Sequence, residues 1–97
     1  MTKSTPKKDV RRLEDLVSVG PATIADLGRL GVTRVPRLAR CDARALYERL
    51  CAVTGERHDP CAEDVFRAAV AQARDPHLPV EQRRWWYWSR RRKAGAI

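Results

Sequence analysis

The stretch Leu13-Glu14-Asp15-Leu16-Val17-Ser18-Val19-Gly20-Pro21-Ala22-Thr23-Ile24-Ala25-Asp26-Leu27 decides the fold. Upstream of Ser18, the apolar residues Val10, Leu13, Leu16 and Val17 recur at helical spacing with Glu14 and Asp15 between them. That pattern predicts a helix over 10–17. Gly20 then serves as a helix N-cap and Pro21 fits the first helical position, where a missing N–H costs nothing. Val19 and Ile24 occupy the two positions of a hydrophobic staple. A second helix is predicted over 21–30, burying Ile24, Leu27 and either Ala25 or Gly28. Gly31 suits a left-handed ending, with Val32 folding back onto Leu27 as a Schellman motif requires. The connection between the two helices is so short that they must cross closely.

The rest of the chain continues in the same manner. Thr33 is positioned to cap a short helix over 34–40 with Val35 and Leu38 facing inward. Asp42 is a strong cap for a helix reaching about residue 53, with Leu46, Leu50 and Val53 inward and Tyr47 beside them. Gly55 ends it. Asp59-Pro60 opens a further helix whose apolar stripe is Val65, Phe66, Ala69, Val70 and Ala73. Asp75-Pro76 and Pro79 break the chain before a sixth helix over 81–93, which holds Trp85, Trp86, Tyr87 and Trp88 and then a run of arginines. Period-two alternation is absent, so the fold class is all-α, a compact bundle of about five to six short helices.

Ninety-seven residues make one domain, and the net charge is +8. Lys3, Lys7, Lys8, Arg11 and Arg12 lie near one end, and Arg83, Arg84, Arg90, Arg91, Arg92 and Lys93 near the other. The stretch between them is nearly neutral. The expected organisation is a disordered basic tail over 1–9, a helical domain over 10–88 and a basic tail over 89–97. Basic ends on a neutral body fit a polyanionic partner, and equally a soluble protein with solvated tails. No apolar run approaches the roughly 18 residues of a membrane span, and the polar start does not read as a secretory signal. Three cysteines, an odd number, argue against a secreted disulfide framework and for a reducing cytoplasm.

The 13–27 stretch resembles the helix-hairpin-helix motif, in which two helices are joined by a Gly-apolar-Gly turn. Gly31-Val32-Thr33 through Leu38-Ala39, then Asp42 through Leu46, resembles the second unit of a tandem pair. Further on, Leu50-Cys51, Thr54-Gly55, His58-Asp59-Pro60-Cys61, Asp64-x-Phe66-Arg67-Ala68-Ala69 and Trp85-Trp86-Tyr87-Trp88 resemble a family of small bacterial proteins. These are known as pathogenicity-locus proteins, in some cases as mitomycin-resistance proteins. The resemblance spans about residues 10–93 and implies a fold built on tandem helix-hairpin-helix units, not a reaction. Two positions depart from the motif: Ser18 stands where it has its first glycine, and Ala22 near where DNA-binding members often carry a lysine or arginine. The second turn, Arg40-Cys41-Asp42, has no glycine and reads as a packing element.

The chemistry of such a turn is phosphate binding. N–H groups in the first turn of a helix have no helical partner, and the helix dipole adds positive potential. Gly20 allows close approach of a nucleic-acid backbone. The expected function is therefore a non-catalytic, sequence-tolerant module binding nucleic-acid backbone, DNA in the first instance. Its expected site is Ser18, Val19, Gly20, Ala22 and Thr23 with Arg83, Arg84, Arg90, Arg91, Arg92 and Lys93. The same turn is also consistent with a simple interhelical connection.

Other residues carry weaker signals. The Trp85–Trp88 run among arginines can stack on bases, can seat a protein partner as an interaction adaptor, or can supply two or more tryptophans to close a small core. Arg34, Arg37, Arg40 and Arg44, the first three recurring every third residue, can track a phosphate backbone or form a solvated face partly neutralised by acids such as Glu48, the latter being favoured. Cys41, Cys51, Cys61 and His58 are the set capable of metal or redox sensing, but they lack a paired-cysteine spacing. Cys61 near a helix N-terminus would have a lowered pKa. No nucleophile–base pair stands out, and Glu14-Asp15 and Glu63-Asp64 read as solvated faces. No cofactor, metal or membrane partner is expected.

Overall fold

The structure, a computed structural model, describes residues 10–96; the tail expected over 1–9 lies outside them. Among the described residues are five α-helices: α1 (Pro21–Arg29), α2 (Val35–Ala39), α3 (Ala43–Thr54), α4 (Pro60–Arg74) and α5 (Trp85–Lys93). Two 3-10 turns, Leu13–Asp15 and Val80–Arg83, complete the regular structure. The all-α expectation holds.

α4 is the axis of the molecule, packing against α2, α3 and α5. Its Asp59 cap accepts a hydrogen bond from the Cys61 N–H, and Pro60 occupies the first turn. Phe66, Ala69 and Val70 form its inward stripe and meet Leu38, Leu46 and Leu50 in one core with Leu27 of α1. α3 is capped by Asp42, which accepts from the Ala45 N–H at 2.9 Å, and ends on left-handed Gly55. α1 ends as the sequence predicts. Gly31 is left-handed at φ 78°, the Gly31 N–H bonds the Gly28 carbonyl, and the Val32 N–H reaches back to the Leu27 carbonyl at 2.9 Å. These two bonds satisfy carbonyls that a helix end otherwise leaves open.

Five expectations change. The helix over 10–17 is a single 3-10 turn, because the backbone of Val17 pairs with the side chain of Gln72 on α4 and the chain leaves helical geometry at Leu16 (ψ 137°). Leu13, Leu16 and Val19 are nevertheless all buried. In α1, Ala25 and Gly28 are exposed and Leu30 is buried in their place. α2 begins after Arg34, which is extended and makes no side-chain cap, while Thr33 is exposed; Pro36 sits in the first turn, where no N–H is needed. The inward face of α3 is Ala43, Leu46, Tyr47 and Leu50, and Val53, at the edge of that stripe, is exposed. The helix over 81–93 is interrupted at Arg84 (ψ 135°), so α5 starts at Trp85. It then passes through position 89, where the charge pattern sets the start of the basic tail, and Ser89 is buried.

Candidate nucleic-acid interface

The 17–23 turn is held by two long-range polar clamps. The Gln72 amide accepts from the Val17 N–H at 2.9 Å and donates to the Val17 carbonyl at 2.8 Å. Next to it, the Ser18 hydroxyl donates to the Arg83 carbonyl at 3.1 Å and accepts from the Trp85 N–H at 3.0 Å. Ser18 thereby caps α5 from 67 residues away in sequence. It has φ 71°, the one non-glycine residue among those described with a left-handed backbone. Such a conformation costs about 1–2 kcal/mol for an ordinary side chain, and the paired hydrogen bonds hold it.

Beyond Ser18 the turn is open. Gly20 caps α1 with φ −107°, a conformation any residue adopts, and a Cβ placed there would meet no heavy atom within 4 Å. The fold therefore does not need a glycine at this position. The first N–H that α1 satisfies is that of Ile24, to the Gly20 carbonyl at 3.0 Å. Pro21 has no N–H, and no side chain caps the helix, so the Ala22 and Thr23 N–H groups are uncapped. Ala22 is exposed, Thr23 half-buried and Val19 buried.

The basic candidates divide. Arg83 joins the turn through its carbonyl, while its Nε donates to the Leu78 carbonyl at 2.7 Å. Arg84, the residue between Arg83 and the capped Trp85, is exposed. Arg90 is exposed and lies over the Trp86 ring, 4.6 Å from its centre. Arg91 covers the Tyr87 and Trp88 rings at 5.8 and 6.0 Å. Arg92 is withdrawn into the fold: its guanidinium holds both carboxylate oxygens of Asp64, with Nε 3.0 Å from Oδ1 and Nη2 2.9 Å from Oδ2. That hydrogen bonding to Asp64 raises the Arg92 pKa. Lys93 is exposed at the far end of α5. The structure thus gathers Ser18, Val19, Gly20, Ala22, Thr23, Arg83 and Arg84, sets Arg90 further along α5, and turns Arg91 and Arg92 to packing and pairing.

Only Trp88 of the three tryptophans is anchored, its indole N–H donating to the Gln82 carbonyl at 2.8 Å and its ring edge-on to Tyr87. Trp85 and Trp86 are 39% and 41% exposed, which corrects the expectation that two or more close the core. Glu63 and Asp64 are also corrected. They are buried rather than solvated, because Arg44 and Arg67 pair with Glu63 and Arg92 pairs with Asp64. The proximity of Glu63 raises the Arg44 pKa. Arg34, Arg37, Arg40 and Arg44 are all exposed, and Glu48 neutralises Arg44 at 2.9 Å as the solvated-face reading expects.

The three cysteines are free, and no three His, Cys, Asp or Glu side chains gather as metal ligands among the described residues. His58 is engaged locally, with Nε2 2.8 Å from the Thr54 hydroxyl and its carbonyl accepting from the Tyr47 hydroxyl. Burial raises the Tyr47 pKa. The hydrogen bond to Asp59, then burial, raises the Cys61 pKa, against the expected lowering, while the Cys61 N–H lowers that of Asp59. Cap and thiol share one carboxylate, and its charge disfavours the thiolate. Cys61 is accordingly expected to alkylate more slowly than a model thiol at neutral pH, measured by mass mapping of iodoacetamide adducts; a faster rate would reinstate a reactive cysteine.

Sequence reasoning missed Gln72, a lone amide within an apolar stripe, whose polarity amid Ala69, Val70 and Ala73 was the available signal. The family model described as pathogenicity locus (Cdd1) matches residues 6–94 of the chain. The mitomycin resistance protein McrB of Streptomyces lavendulae is 40% identical over 81 residues, which is 84% of this chain and 73% of the relative. No solved structure matches.

Proposed function

The chain belongs to the pathogenicity-locus family, and within it we propose that this protein is a non-catalytic module of helix-hairpin-helix type that binds DNA backbone through the 18–23 turn. The observation behind this reading is the uncapped first turn of α1, with open space above Gly20. Two unpartnered N–H groups at the positive end of a nine-residue helix suit a phosphate oxygen. The Thr23 hydroxyl adds a further donor, and Arg84 supplies charge beside the turn. Contacts of this kind read the backbone and not the bases, so binding is sequence-tolerant. The Ser18 departure from the motif fits this scheme: the hydroxyl that replaces a glycine fastens the turn to α5. No described helix is long and apolar enough to cross a membrane.

The test is fluorescence anisotropy of labelled DNA at several salt concentrations. Log affinity should fall linearly with log salt at a slope of about −3 to −6, as expected for several neutralised phosphates. Gly20→Asp gives the sharper result. Aspartate is a better cap than glycine, so thermal stability should hold or rise slightly. Its carboxylate would take the Ala22 and Thr23 N–H groups and repel phosphate, so affinity should fall about tenfold or more. Unchanged affinity in that variant would leave the turn as scaffold.

A further inference from the structure

We infer that Trp85 and Trp86 form a stacking corner for unpaired bases of a DNA strand whose phosphates lie at the α1 turn. The inference rests on the backbone-binding reading and adds a substrate class to it. Two adjacent tryptophans, each about two-fifths exposed, occupy the first turn of α5. The hydrogen-bonded indole in this helix is that of Trp88, while the Trp85 and Trp86 side chains stay partly exposed. The surroundings are cationic. Arg84 precedes the pair, the Arg90 guanidinium lies 4.6 Å above the Trp86 ring, and neither arginine is ion-paired among the described residues. An apolar protein surface would leave those charges unanswered, whereas a nucleic-acid strand answers both charge and aromatic face.

Position completes the argument. The Trp85 N–H is bonded to the Ser18 hydroxyl, and Ser18 lies two residues before Gly20. The turn before α1 and the start of α5, where the tryptophans begin, are thus joined by one side chain. A strand that runs from Ala22 and Thr23 past Ser18 would bring its following bases toward Trp85. In a duplex the base faces are already stacked on one another. The corner therefore favours single strands, frayed ends and junctions, where a face is free.

The experiment compares labelled oligothymidylate with an abasic oligomer of equal length, which keeps the phosphates and lacks the bases, at one low salt concentration. The full chain should bind oligothymidylate about tenfold more tightly than the abasic oligomer. Trp85→Ala and Trp86→Ala should lose that margin while matching the parent on the abasic oligomer, with helical circular dichroism retained. Equal affinity of the parent protein for both oligomers overturns the stacking corner and leaves the backbone reading standing, whatever the variants do. No binding to either oligomer or to duplex overturns both, and leaves Trp85 and Trp86 to a protein partner.

Discussion

Replacing Arg92 with alanine is expected to destabilise the protein by about 3 kcal/mol, within the range found when one partner of a buried ion pair is removed. Asp64 is fully buried, and both its oxygens are held by Arg92. Without the guanidinium, the Asp64 carboxylate is left in the core without its partner, which penalises the fold. The lower end of the range applies because about a quarter of the Arg92 side chain remains accessible, so water can partly replace it. For a chain of this size the melting temperature should drop by more than about 10 °C. The measurement is urea unfolding of Arg92→Ala beside the double variant Asp64→Leu, Arg92→Met. The double variant removes both charges and should recover most of the loss. A small loss in Arg92→Ala would mean that the pair is not what holds α5 on α4.

The second large effect is expected at Gln72. Gln72→Leu keeps approximate volume but removes the acceptor for the Val17 N–H and the donor to the Val17 and Ala68 carbonyls. Leaving such groups unsatisfied at a buried position should cost about 2–3 kcal/mol. The consequence reaches the proposed interface. With Val17 released, only the Ser18 hydroxyl's own bonds to Arg83 and Trp85 hold its left-handed conformation, and the uncapped α1 turn is tied less firmly to the rest of the fold. Native-state hydrogen exchange should show the Val17 amide losing protection while amides within α4 keep theirs. DNA affinity should fall with it. Equal protection at Val17 in both proteins would show that the turn is held by something other than this amide.

These two residues also mark where sequence reasoning stopped. The ends of α1, α3 and α4 were legible because each signal lies within a few residues of its effect: Gly20-Pro21, Gly31-Val32, Asp42, Gly55 and Asp59-Pro60 act on their own backbone. Of the apolar residues read at helical spacing, Leu13 and Leu16 are buried, Val17 is half-buried and Val10 is exposed; residues three apart share a side of the chain in a helix and in this 3-10 turn alike. The same spacing misled as to conformation, because the competing bonds come from Gln72, 55 positions away. Glu63 and Asp64 fail for the same reason. Their neighbours in sequence give no hint of burial, and Arg44 and Arg92, which make it tolerable, lie on other helices. Of the candidate site, the turn residues were legible from local chemistry. The distinction between exposed Arg84, stacked Arg90 and buried-paired Arg92 was not, since all three sit in one run of positive charge.

The bond from the Ser18 hydroxyl to the Trp85 N–H has a bearing on the order of assembly. It joins positions 67 residues apart, and closing so long a loop is slow compared with forming the local α2–α3–α4 contacts. The segment from 18 to 74 carries most of the apolar core and can gather it before the loop from Ser18 to Trp85 closes. The turn then waits, with its left-handed serine unsupported, until the aromatic helix arrives. A chain clipped before Trp85 would lack the partner that holds Ser18, and with it the proposed interface.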